Sequence, residues 1–147
     1  NPVLNPELVR SLQEQASEVF VHNLVAEYVV RLVLATRTPD EFGMPDLVNV
    51  IQVGCSPRAT LGLVAASRAL ALIHGRDYVL PTDVQAVARD VMAHRLLLSF
   101  DAVADDITPP QVIERIVAMV PPPTPVWNAQ QRQVAHGQHQ YTPEVRG

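Results

Sequence analysis

The run Gly54-Cys55-Ser56-Pro57-Arg58-Ala59 holds the residues of this chain best placed to do chemistry. Ser is a preferred helix N-cap, and Pro is favoured at the first helical position, where its missing N–H costs nothing. An apolar-periodic stretch follows from Ala59 to Ile73, so a helix is predicted to begin here with Arg58 in its first turn. A cation there stands at the positive end of the helix dipole, where it is disfavoured by a few tenths of a kcal/mol up to about 1. One turn on, Leu61 and Gly62 offer no carboxylate. The partner must be an anion outside the helix. It is either a loop carboxylate such as Asp46 or Asp40, giving a structural ion pair, or a phosphate, which helix N-termini already favour.

The other candidates are weaker. Cys55 lies at the same helix start, where thiol pKa values fall, but no histidine is near in sequence and a small apolar filler is the expected role. His136 and His139 have metal-like spacing without a third ligand, so no metal site is expected. Asp101, Asp105 and Asp106 lack the spacing and central Gly of an EF-hand loop and read as a solvated turn. His22 is placed to cap a helix, and His74, His94, Arg37 and Arg95 stand at predicted helix ends, with Arg76 just beyond one, where cations complement the dipole.

All eleven basic residues are arginine. Without lysine the chain has neither a phosphate-binding P-loop nor lysine-based covalent catalysis. A net charge of −4, with arginines scattered rather than clustered, disfavours nucleic-acid binding. No apolar run approaches the roughly 20 residues of a membrane span. The single cysteine excludes an internal disulfide and points to a reducing cytoplasm. The chain opens on Asn1-Pro2-Val3-Leu4, with no signal-peptide pattern and no start methionine, so a longer parent protein is expected.

These residues are positioned by a predicted all-α domain of about five helices, a small helical bundle over residues 1–120. Asn5-Pro6-Glu7 starts the first helix, with Leu8, Leu12 and Ala16 on its apolar face. The second runs from about Asn23 to Arg37 on the stripe Leu24, Val25, Tyr28, Val29, Leu32, Val33, with a Glu27–Arg31 pair at i,i+4. Glu41 to Val53 reads as loop, with a short helix after Pro45. The third helix, Pro57 to His74, is expected to bury Leu61, Val64, Ala65, Ala69, Leu72 and Ile73, and Gly75 suits its C′ position. Pro81 opens a fourth reaching about Arg95, with Val84, Val87, Val91 and Met92 inward. Leu96 to Phe100 fits either helix or strand, and Asp101 to Ile107 reads as an acidic loop. Thr108-Pro109-Pro110-Gln111 is a capping box for a fifth helix carrying Val112, Ile113, Ile116, Val117 and Val120. Residues 121–147, rich in Pro and Gln, read as a disordered tail.

Several short elements occur in order over this helical pattern: Ala35-Thr36-Arg37, Gly54-Cys55-Ser56-Pro57-Arg58-Ala59, Gly75-Arg76-Asp77-Tyr78-Val79, Pro81, Asp83-Val84 and His94-Arg95-Leu96. Together, over roughly Leu4 to Val120, they resemble the C-terminal helical lid of MoxR-type AAA+ ATPases. The chain departs from that pattern at Cys55, usually a small residue such as alanine, and at Leu80, usually a capping Thr or Ser.

The resemblance implies that Arg58 is the sensor-2 arginine contacting the ATP γ-phosphate, with Gly54, Ser56 and Pro57 supporting it. It also implies that the P-loop and the Mg-binding motif lie in a core domain outside this chain. The lid alone would then hydrolyse no ATP. The implied partners are that core, neighbouring subunits of a ring, commonly a hexamer, and proteins with a von Willebrand factor A domain. The implied work is chaperone-like maturation of protein complexes. A stand-alone helical interaction module, with Arg58 held by a carboxylate, is the alternative.

Overall fold

A computed structural model describes residues 5–124. Asn5 caps α1 (Pro6–Glu18), its Oδ1 accepting the Leu8 N–H at 2.8 Å. His22 caps α2 (Asn23–Ala35) through Nδ1, which accepts the Leu24 N–H. After two 3-10 turns, Pro39–Phe42 and Pro45–Val48, strand β1 (Ile51–Val53) leads into α3 (Arg58–Ile73). Then come α4 (Pro81–Met92), a 3-10 turn Ala93–Arg95, β2 (Leu97–Leu98), α5 (Phe100–Ala104) and α6 (Pro109–Met119).

The all-α reading holds, with short additions. β1 and β2 form a two-stranded antiparallel ribbon, pairing Ile51 with Leu98 and Val53 with Leu97; β1 lies in the segment expected to be loop, and β2 takes the extended one of the two forms open to Leu96–Phe100. The acidic loop is itself partly helical: the Ser99 hydroxyl accepts the Ala102 N–H and starts α5. The described residues thus contain six helices rather than five. Arg95 closes α4 as expected, except that the last turn tightens to 3-10 geometry.

Local signals placed the longer helix ends. Gly75 takes φ +70°, and the Gly75 and Arg76 N–H groups return to the Leu72 and Ala71 carbonyls, a Schellman ending for α3. Thr108 N–H donates to Gln111 Oε1 at 2.9 Å, half of the expected capping box. At α4 the missing hydroxyl at Leu80 is offset from the other side, because Asp83 Oδ2 accepts the Leu80 N–H at 2.8 Å.

The core gathers Tyr28, Leu32, Met44, Leu63, Met92, Ile113 and Ile116 between α2, α3, α4 and α6. The expected face of α3 is corrected in part: Val64 and Leu72 do pack, partly buried, against the core. The buried residues of α3 are Ala59, Leu63, Ser67 and Ala71, while Leu61 and Ile73 are 72% and 78% exposed. Small residues are used because α4 approaches closely: a Cβ on Gly62 would come within 3.1 Å of Val91 Cγ1. Leu24 is exposed too, and α1 buries none of its residues. The expected Glu27–Arg31 pair is not among the ion pairs of the described residues. His136, His139 and all but the first four residues of the expected tail lie outside the described residues.

Candidate functional site

The start of α3 is held by the end of α2. Thr36 is buried; its hydroxyl donates to the Val33 carbonyl at 2.6 Å and accepts the Cys55 N–H at 2.9 Å. Arg37 Nη1 donates to the Cys55 carbonyl at 3.4 Å. Both backbone groups of Cys55 are therefore taken by one pair of adjacent residues. This gives Arg37 a second role beyond the helix end where its position in the sequence put it.

Gly54 completes the joint. A Cβ there would meet the Thr36 carbonyl oxygen at 2.4 Å and Arg37 Cγ at 2.9 Å. Only glycine lets the two backbones approach this closely, which is a positional reason for its presence. The Cys55 side chain is fully buried and its Sγ lies 3.5 Å from the Met92 carbonyl oxygen. Burial pushes its thiol pKa up, against smaller opposing effects of Thr36 and the Arg95 charge. It is a packed filler and not an activated nucleophile.

Ser56 and Pro57 behave differently from their expected roles. The helix begins one residue later, with Pro57 as N-cap in αR geometry and no side-chain cap bond. The turn is closed instead by backbone bonds, Ala59 N–H to the Ser56 carbonyl and Thr60 N–H to the Pro57 carbonyl. Pro57 at the cap leaves no side-chain acceptor for the first N–H groups of α3. The start of this long helix is accordingly open toward solvent, with Ser56 and Pro57 exposed.

Arg58 is the first residue of α3 and is exposed. Among the described residues it makes no hydrogen bond or ion pair. The two carboxylates considered for it are not its partners. Asp46 takes a bidentate pair with Arg115 of α6, including a 2.8 Å bond from Nη2, and Asp40 forms no ion pair among the described residues. Arg76, by contrast, donates to both oxygens of the buried Asp83 at 2.6 and 2.7 Å and is structural. No group of three His, Cys, Asp or Glu converges as a metal site among the described residues. No described helix is long and apolar enough to cross a membrane.

The Thr36 clamp was missed in the sequence. Its partner lies 19 residues away, and the only available signal was a threonine at a helix end preceding an arginine.

Residues 49–116 match the AAA lid domain family. The chain is 52% identical over 109 residues to Chaperone MoxR1 of Mycobacterium tuberculosis, covering 74% of this chain and 29% of that protein. It is 46% identical over 76 residues to Protein MoxR of Paracoccus denitrificans, covering 49% and 22%. A solved Cytophaga hutchinsonii structure assigned as an ATPase superposes with a TM-score of 0.73 at 35% identity, over 76% of this chain and 34% of that one. The chain thus spans about a third or less of the length of each of these proteins. With the clamped entry to α3 and the helical architecture, these matches identify the chain as an AAA lid domain of the MoxR type.

Proposed function

We propose that this lid belongs to an ATPase and that Arg58 is its sensor for nucleotide phosphate. One observation carries the reading: an exposed arginine opens α3 without an internal partner among the described residues, on a helix start pinned by Thr36, Arg37 and Gly54. A guanidinium carried at a helix N-terminus whose backbone is pinned suits an oxyanion. Charge on the phosphate would repay the unfavourable placement of the cation.

Splitting the triphosphate requires groups this chain does not contain. Its sequence has no lysine for a P-loop. ATP and its Mg²⁺ would therefore be held by a core domain of the longer protein, and Arg58 would report the phosphate state to the lid. Gly54 and Pro57 act as positioning residues, Gly54 by close packing and Pro57 by setting the first turn. Ser56 contributes its backbone carbonyl. The relative named a chaperone supports a chaperone role; the work proposed for the longer protein is maturation of protein complexes, by a ring of subunits, commonly six, in the cytoplasm. Partners with a von Willebrand factor A domain fit the same reading.

The test compares the full-length protein with residues 1–147 alone. The full-length protein should hydrolyse ATP and the isolated lid should not. Hydrolysis by the isolated lid, or none by the intact protein, contradicts the assignment.

A further inference from the structure

Three arginines of the described residues have carboxylate partners: Arg76 with Asp83, Arg89 with Glu114, and Arg115 with Asp46. Arg58 and Arg95 are two of the six described arginines with none, and the fold brings them to one helix face. Arg95 ends the 3-10 turn after α4 and donates through Nη1 to the Val91 carbonyl, which anchors its stem. Nη1 also borders His94 Nε2. Its Nη2 lies across α3, where a Cβ built on Gly62 would stand 3.8 Å from it and 4.0 Å from Cζ. That nitrogen has no acceptor among the described residues.

Gly62 follows Arg58 by four positions, so the two share a face, with Cβ positions about 5–6 Å apart. The Arg95 charge is also felt at Cys55, three residues before Arg58, where it works against the effect of burial on the thiol. The Arg95 guanidinium therefore lies beside the second turn of α3, on the face that Arg58 opens one turn earlier. Like charges at the positive end of a dipole are unfavourable until an anion joins them. A Cβ at Gly62 would touch this guanidinium at ordinary contact distance and would crowd Val91 Cγ1 instead, at 3.1 Å.

Resting on the reading of Arg58 above, we propose that Arg95 is a second phosphate-binding residue of this site, so that the lid grips a polyphosphate through two guanidiniums. Arg58 presents its charge from the helix start, and Arg95 presents Nη2 from across Gly62. The ligand class is a nucleoside polyphosphate, for which more than one phosphate is available to the pair.

Equilibrium binding of ATP and of AMP to the full-length protein tests this. Arg95→Ala should reduce the preference for ATP over AMP at least tenfold with AMP affinity unchanged. Arg58→Ala should do likewise. Arg95→Lys, which keeps the charge, should give an intermediate preference. If Arg58→Ala lowers the preference and Arg95→Ala leaves it within twofold, the assignment of Arg95 fails and that of Arg58 stands. If neither variant changes it, both fail. A loss confined to Arg95→Ala supports Arg95 and overturns Arg58. Equal weakening of ATP and AMP by Arg95→Ala makes Arg95 structural and overturns the proposal.

Discussion

The Thr36 hydroxyl accepts the Cys55 N–H at 2.9 Å, joining the end of α2 to the start of α3 across 19 residues of sequence. Three residues beyond Cys55, Arg58 opens α3. Its placement is thus inherited from a buried hydrogen bond and a glycine contact rather than from any bond of its own.

Thr36→Val keeps the shape of the side chain and removes the acceptor. It leaves the N–H of a buried residue unsatisfied, which costs about 1–3 kcal/mol. Chemical denaturation of the lid should show a loss in that range.

Gly54→Ala places a methyl group against the Thr36 carbonyl, where the ideal Cβ position lies 2.4 Å from the oxygen. Backbone must move to admit it, so a loss of about 2–3 kcal/mol is expected from overpacking. The thermal unfolding midpoint should fall accordingly, whereas Gly75→Ala should be costly for a different reason, its φ of +70°.

Ser67 is fully buried on the core face of α3, and its hydroxyl has no hydrogen-bond partner among the described residues. Ser67→Ala removes an unsatisfied polar atom and improves helix propensity, so the lid should gain about 1 kcal/mol. A loss of stability in a denaturation series would show that the hydroxyl is satisfied in solution.

Asp83 makes the lid sensitive to acid. Burial raises its carboxyl pKa, but the Arg76 hydrogen bonds, the Leu80 N–H and the charges of Arg76 and His74 outweigh it, and the net shift is downward. The folded pKa thus lies below the unfolded value of about 3.9. The stabilisation is fully present above the unfolded pKa and is lost as pH falls through the folded one. Asp83→Asn should cost about 2–4 kcal/mol at neutral pH, because the largely buried Arg76–Asp83 pair loses one partner. It should also flatten the acid limb of the stability–pH curve, read by denaturant titration between pH 2 and 5.

The helix starts and stops were legible because capping is local: Asn5, His22, Gly75 and the Thr108–Gln111 pair act within a few residues of themselves. The inward face of α3 was not. Periodicity favoured its large apolar residues, yet close approach of α4 over Gly62 selects Ala59, Leu63, Ser67 and Ala71 and turns Leu61 and Ile73 outward. For the β1–β2 ribbon, the sequence left Leu96–Phe100 open between helix and strand and showed neither β1 nor the pairing, because strands of three and two residues carry no period and their pairing is decided by neighbours far along the chain. At the candidate site, the oddity of Arg58 was visible from helix electrostatics alone. The clamp that aims it, and the approach of Arg95 over Gly62, depend on tertiary contacts that no local pattern encodes.

The most direct test is ATP turnover by the full-length protein carrying Arg58→Ala, measured beside the unfolding midpoint of the same variant. Turnover should fall at least tenfold, equivalent to about 1.4 kcal/mol of barrier, while the midpoint stays within a degree or two of the parent, since no internal bond of the described residues is lost. A variant that keeps its turnover and loses several kcal/mol of stability would contradict the account and make Arg58 a structural residue.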